Sequence, residues 1–315
     1  MTSYLTTLGA CRRYFATTRI DPQASTATED AIIADLIPIA SQIIEDYCGN
    51  SFAPVLETRD FDVKLGANEL HFKGNLPFSV LSVMDPNGTV LDPSLYQVAP
   101  PSRSPKRSIL LAPGNYWTYS GNRAVYDNPS GFSSFTYGTS GTGAFQSHIA
   151  DAYLPSAVSV KAYWGYHRHY ANAWLSSSAT VASAVAATDS TLTLSIPAGQ
   201  AALDVGSFIQ IDGEFMVVLS PIPIALATVV GVARAQNGTT AAVHNVGAAI
   251  SSWQPESVVE WSAREVTAAL YKSRDNPSGD SVSVDGFGTV KLISHGLPQK
   301  TIDRLAEYRN YWSGH

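Results

Sequence analysis

Between Ser176 and Ser251 the chain is rich in Ala, Val, Thr and Ser and nearly free of charge. Its apolar runs are short: Thr191 to Ser195, Phe208 to Ile211, Phe215 to Leu219, Thr228 to Val232 and Ala248 to Ser251. Runs of four or five residues broken by turn signals suit strands. Asp212-Gly213 and Asn237-Gly238 are hairpin signals, because these residue types tolerate the positive φ that a tight hairpin turn demands. The segment 176–251 therefore reads as a small all-β barrel or sandwich inserted into the rest of the chain.

The flanks follow a helical period. Leu5 to Phe15 can form a first helix. Thr26-x-x-Glu29 reads as a capping box, in which a hydroxyl and a carboxylate satisfy free backbone donors. Ile32, Ile33, Leu36, Ile37, Ala40, Ile43, Ile44 and Tyr47 then recur at helical spacing up to Gly49, a natural stop. Pro38 lies inside this pattern and is expected to kink the helix. After the insertion, Pro255 opens a helix with Val259, Ala263, Val266 and Leu270 on one face. Arg274 to Val284 is a polar loop, and Pro298 to Tyr308 a last short helix.

From Phe52 to Tyr166 the pattern is of strands and turns. Phe61 to Leu65, Glu69 to Phe72, Val80 to Met84, Thr89 to Leu91, Ser108 to Ala112 and Ala157 to Trp164 are β-compatible, with a tight turn at Asp85-Pro-Asn-Gly88. The loop 115–144, rich in Gly, Ser, Tyr and Asn, is long for a compact domain.

Composition excludes several classes. The chain has 315 residues, 45% of them hydrophobic, enough for a sizeable core in about two domains. Net charge is −6, and no dense Lys/Arg cluster exists beyond the three basic residues between Arg103 and Arg107. Tight sequence-independent grip on nucleic acid needs such clusters. Cys11 and Cys48 read as reduced thiols among helices, because two cysteines make no disulfide framework. The start has no apolar signal region, and Pro221 to Ala233 is too short to span a bilayer, so no membrane association is expected. Asn87-Gly-Thr and Asn237-Gly-Thr are read as turns.

Candidate chemistry is sparse. His167-Arg-His169 offers two ligands that share a face only on a strand. Asp212 and Glu214 form a carboxylate pair of the kind glycosidases use. Gly138-Thr-Ser-Gly-Thr-Gly143 lacks the Lys and the strand–helix context of a phosphate loop. No nucleophile elbow exists. No catalytic residue, metal ligand or cofactor site is assigned, and the chain is not expected to be an enzyme.

Two segments resemble phage head–tail connector proteins. Asp30-Ala-Ile-Ile to Ile44-Glu-Asp-Tyr47-Cys-Gly49-Asn-Ser-Phe52 is similar to the helix ending that precedes their first strand. Val158-Ser-Val-Lys-Ala-Tyr-Trp-Gly165-Tyr166 is similar to their strand ending in Gly-Tyr. In that family this strand leads almost directly into a helix beginning with Pro, which Pro255-Glu-Ser-Val-Val to Leu270-Tyr-Lys-Ser-Arg274 resembles. Gly296-Leu-Pro298 to Leu305-Ala-Glu-Tyr-Arg309 is similar to the segment that closes many members. The departure is a roughly eighty-residue insertion between Tyr166 and Pro255, of the kind surface loops tolerate. Within it, Val205-Gly-Ser-Phe-Ile-Gln-Ile-Asp-Gly-Glu214-Phe-Met, Gln236-Asn-Gly-Thr-Thr240-Ala-Ala-Val-His244 and Gly247-Ala-Ala-Ile250 resemble a small β-module of phage virion proteins. That module usually has Arg-Gly where this chain has Arg234-Ala235.

The resemblance implies an α+β fold: a helical connector core with antiparallel β elements, residues 1–175 and 252–315, interrupted by the β-domain at 176–251. It implies a virion protein of the phage neck, made in the host cytoplasm. Such a protein forms a homo-oligomeric ring, usually of twelve subunits, that binds the portal protein and a tail or tail-completion protein. DNA passes through the lumen without specific binding. Three regions are expected to make contacts: the loop 115–144 with Tyr116, Trp117, Tyr119, Tyr126 and Phe132; the β-domain; and the segment after Arg274 with Phe287, Tyr308 and Trp312. Two alternatives stand: another phage tail or baseplate structural protein, and a carbohydrate-binding or carbohydrate-cleaving virion protein resting on the aromatics and Asp212/Glu214.

Overall fold

The computed structural model describes residues 4–18, 27–74, 76–102, 104–119, 124–125, 135–136, 153–198, 203–224, 227–274, 281–284, 288–293 and 297–309. The chain divides into two units, Met1–Ala53 with His169–His315, and Pro54–Arg168.

The unit Pro54–Arg168 is built from strands β1 (Val55–Lys64), β2 (Glu69–His71), β3 (Pro77–Met84), β4 (Tyr96–Ala99), β5 (Ser108–Leu111), β6 (Ala124–Val125), β7 (Phe135–Thr136) and β8 (Tyr153–Trp164). β8 is the central strand of an antiparallel sheet with β1 and β3 on either side. Its residues Val158, Val160, Ala162 and Trp164 are buried in alternation, the two-residue period of a strand with one face on the core. Phe61 and Phe72 pack on Trp164 with centroids 5.7 and 5.6 Å away. A second sheet, β2-β5-β4, adds Leu70, Ile109 and Leu111 to the same core. The turn after β3 forms as its residues dictate: Asp85 accepts from the N–H groups of Asn87 (2.9 Å) and Thr89 (2.8 Å), and Gly88 takes φ +81.

The other unit holds helices α1 (Leu8–Thr17) and α2 (Ala27–Cys48), six strands β9 (Trp174–Val181), β10 (Thr191–Ser195), β11 (Phe208–Ile211), β12 (Glu214–Ile224), β13 (Ala227–Ala233) and β14 (Ala249–Trp253), then α3 (Ser257–Ser273), β15 (Ser281–Val284), β16 (Gly288–Ile293), β17 (Leu297–Pro298) and α4 (Gln299–Leu305). β9 to β14 close into an antiparallel barrel in the order β10-β13-β12-β11-β14-β9, and β9 pairs with β10 to complete it. Leu192, Leu194, Ile209, Ile211, Met216, Val218, Val230 and Ile250 fill its interior. The first and last strands are neighbours: Trp174 pairs with Trp253, and Gln254 N donates to Ala173 O at 2.8 Å.

The helices pack around Leu8, Cys11, Phe15, Ile33, Ile37, Ala268 and Tyr271, and Val205 from the barrel joins this cluster. α2 runs on through Pro38; Thr26 of the expected capping box lies outside the described residues. Ser41 of α2 is buried and accepts from Leu5 N (3.0 Å) while donating to Ile37 O (2.8 Å). The start of α1 is satisfied largely by the barrel. Leu8 N donates to Val205 O (2.9 Å), Gly9 N to Asp204 Oδ2 (2.7 Å), and Ala10 N to the N-cap hydroxyl of Thr7 (3.3 Å). The approach is close: a Cβ on Gly9 would stand 2.3 Å from Asp204 Oδ2.

The expected helical connector core is corrected by these elements. The chain is mostly β, and its largest closed assembly is the six-stranded barrel. Helical periodicity is the more conspicuous sequence signal, since one amphipathic helix shows a dozen patterned residues at once. The strands of β1 to β8 are short or carry charges on their outer face, so their contribution is easily underweighted. Among the described residues no helix is long and apolar enough to cross a membrane.

Asp204→Ala removes a carboxylate cap from α1. The expected loss is about 1 kcal/mol, read as a lower urea midpoint with an unchanged slope. An unchanged midpoint would show that the barrel does not stabilise the helix end.

Candidate functional site

The barrel concentrates the polar side chains on which a chemical role could rest. Asp212 and Gly213 take φ +48 and +88 and join β11 to β12 in a two-residue hairpin, with Ile211 opposite Glu214. Glu214 therefore starts β12 facing inward, while the side chain of Asp212 is 56% exposed. β13 ends just before Arg234, and a loop brings His244 back to pair with Val185. Positions 30 residues apart in sequence thus meet at one end of the barrel.

Glu214 is saturated with donors. Its Oε1 accepts from Arg234 Nε (3.0 Å) and Ala235 N (3.0 Å). Its Oε2 accepts from Arg234 Nη2 (2.6 Å) and Ala242 N (2.8 Å), and faces His244 Nε2 at 3.0 Å. Burial alone would raise its carboxyl. The Arg234 guanidinium, the N–H groups of Ala242 and Ala235, and His244 outweigh burial and bring it down to about 2. His244 has no exposed surface, and its Nδ1 lies 3.0 Å from Asp212 Oδ2. The two acids thus meet on opposite sides of one imidazole ring.

This geometry limits the chemistry. A glycosidase acid must hold a proton near neutral pH and present it to a leaving oxygen. Glu214 has its lone pairs engaged and its ionised form strongly favoured, so it serves neither as proton donor nor as nucleophile. The network instead pins the loop after Arg234 onto the hairpin. Ala235 takes φ +53, a left-handed conformation in which glycine is more usual.

The remaining sequence candidates are scattered. His167 is buried, and Arg168 Nε donates to Tyr166 Oη (3.3 Å). Among the described residues no group of three or more His, Cys, Asp or Glu side chains could hold a metal ion. Cys11 and Cys48 are buried, and burial pushes each thiol up to about 12, which keeps them protonated and unreactive. The glycine-rich segment 138–143 lies outside the described residues.

Of the aromatics expected at contacts, Tyr116 is 56% exposed. Trp117 is buried in the core of its unit, Tyr119 packs partly buried against that core, and Tyr308 is buried beside Phe52. Tyr126, Phe132, Phe287 and Trp312 lie outside the described residues. Sequence reasoning named Asp212 and Glu214 as a pair but gave Arg234 and His244 no part in it. They stand 20 and 30 residues beyond Glu214, too far for any local spacing to join them.

Comparison with protein-family models, with curated proteins and with solved structures finds no match for the chain.

Glu214→Gln leaves Arg234 inside the barrel without its counter-charge, and a loss of about 3 kcal/mol is expected. The pH dependence has a definite sign. The folded-state carboxyl lies below its ordinary value of 4.5, so its stabilisation is complete above 4.5 and is lost as pH falls toward about 2. Acid titration of thermal stability should therefore be shallower in Glu214→Gln across that window. Parallel curves for the two proteins would show that Glu214 is not coupled to folding.

Proposed function

We propose that the chain is a non-enzymatic structural protein of a tailed-phage particle, a head–tail connector whose ring lies beneath the portal and lets DNA pass. The observation that carries this reading is how the resembling segments meet. Three of the four belong to one unit and pack together: the turn closing α2, the helix after Pro255, and the terminal segment. Asn50 Nδ2 donates to Tyr308 O (2.6 Å), Phe52 lies edge-on to the Tyr308 ring (6.0 Å), and Tyr308 Oη donates to Glu256 Oε2 (2.9 Å). Segments that resemble a family by their order alone could have lain apart.

Two further features favour a subunit of an assembly. Ile32, Leu36, Ile39 and Ile43 follow one another at a four-three-four spacing along α2. Ile39 is 49% exposed and Ile43 half-buried beside it, while Ile32 and Leu36 pack partly buried on the helical core, so the outward apolar surface of α2 centres on Ile39. The net charge of −6 gives no counterion-release gain on DNA, which suits a channel that must not hold its cargo.

The test is electron microscopy of the native particle labelled with an antibody against this chain. Label at the neck, with a ring matching the portal, is the expected result. Label at the distal tail would replace the connector with a baseplate role, and absence from the particle would remove the virion assignment. As a second measurement, Ile39→Asp and Tyr116→Asp place charges at exposed sites. Both chains should fold and yet fail to enter particles.

A further inference from the structure

The chain carries the triplet Asn-Gly-Thr twice, at Asn87 and at Asn237, and these are its two Asn-Gly pairs. Asn-Gly is the pair most open to spontaneous deamidation, because glycine has no side chain to obstruct the attack of its backbone N on the asparagine Cγ. A five-membered succinimide closes as that C–N bond forms. The side-chain NH2 leaves as ammonia with the proton that the glycine N gives up. Water then opens the ring at Cγ to give aspartate, or at the backbone carbonyl to give isoaspartate. The two triplets are identical, so a difference in their rates comes from the fold.

The fold treats them oppositely. The tip Asn87-Gly88-Thr89-Val90 is exposed, and a Cβ on Gly88 would meet nothing within 4 Å. The attacking Gly88 N donates to Asp85 O at 3.0 Å. The carboxamide Nδ2 of Asn87 donates to Asp85 Oδ2 (3.3 Å) and Thr118 O (3.1 Å). Opening this tip breaks a few solvent-facing bonds and disturbs no core, which places it at the low end of local unfolding. Asn237 is 8% exposed and held at φ +49, ψ +45. Its neighbours are fastened to β12. Ala235 N donates to Glu214 Oε1 (3.0 Å), Phe215 N donates to Thr239 Oγ1 (3.0 Å), and Thr239 Oγ1 donates to Gln236 O (2.8 Å). For Cγ of Asn237 to reach Gly238 N, this end of the barrel must open.

We propose that Asn87 is a deamidation site, that Asn237 is protected, and that conversion of Asn87 releases Thr118 from the turn after β3. In the native turn the Asn87 amide bridges Asp85 and the Thr118 carbonyl. Aspartate at 87 offers a donor to neither and sets a second carboxylate beside Asp85. Isoaspartate also adds a methylene to the main chain of the turn, which displaces Gly88 N and Thr89 N from their acceptors on Asp85. Thr118 follows Trp117, which is 1% exposed, donates its N–H to Ala67 O and accepts from Gly66 N. The turn thus tethers the chain just past a buried anchor, and deamidation loosens that tether. This goes beyond the connector reading and does not rest on it.

The experiment incubates the full-length native chain in mildly alkaline buffer, which favours loss of the attacking N–H proton. The same chain unfolded in guanidinium chloride runs beside it. Peptide mapping by mass spectrometry reads the amide-to-acid conversion at each triplet. In the unfolded chain both sites should convert at similar rates. In the native chain Asn87 should convert at least about tenfold faster than Asn237, the difference between opening an exposed tip and opening a closed barrel end. Equal rates at the two native sites overturn the proposal. So does a native Asn87 that stays intact over the time in which the unfolded chain converts. A second variant, Asn87→Asp, fixes the product at an exposed position. Its Trp117 amide should exchange faster than in the unaltered chain, while the amides of β8 keep their protection. Unchanged exchange at Trp117 overturns the release of Thr118.

Discussion

The unit that joins helices to barrel depends on one tryptophan. Trp253 ends the last barrel strand, pairs with Trp174 of the first, and stacks edge-on against it at 5.2 Å. Its indole N–H donates to Phe52 O at 3.1 Å, at the turn where α2 has just ended. Phe52 in turn packs on Tyr308 of the terminal segment. Barrel closure, the exit from α2 and the seat of the C-terminal segment therefore share a single buried side chain and one hydrogen bond. An indole suits this position because it brings a large apolar area and one directional donor together.

Two buried glutamates in the same unit show how the origin of the donors decides what an ion network does. The donors of Glu214 are an arginine, two backbone N–H groups and a histidine, all from the barrel, so the network can only stiffen what is already closed. Glu265 of α3 accepts from Thr301 Oγ1 (2.9 Å) and Arg304 Nη1 (2.5 Å) of α4. The same chemistry stiffens one element in the first case and joins two in the second. Asp204 stands between them, a barrel carboxylate that completes the first turn of α1.

What was legible in the sequence follows from how local each signal is. The face Val259, Ala263, Val266 of α3 is read directly because helical spacing repeats within a few residues. β10 to β14 are framed by turn residues whose conformations admit few alternatives, Asp212-Gly213 above all. β9 is harder to see, since Ser176, Ser177 and Ser178 interrupt its apolar pattern. The first half of β1 is masked by the exposed charges of Glu57 and Asp60 and by Arg59, whose guanidinium lies over the buried Trp164 ring at 4.4 Å. The balance of the fold was misjudged toward helix for the same reason. The clustering of Arg234 and His244 around Glu214 was beyond reach, because it follows from barrel register rather than from any local spacing.

The side-by-side exit of β9 and β14 has a consequence for heredity. To the remainder of the chain, the whole barrel occupies the place of a hairpin turn, because Ala173 and Gln254 are already joined by a hydrogen bond. A genetic cassette that lengthens, shortens or replaces the barrel leaves the separation of those two residues untouched, and with it the helices on either side. The barrel is nevertheless tied to the first helix. A lineage that lost the barrel would also lose Asp204 and Val205, and would need a new cap for its first helix.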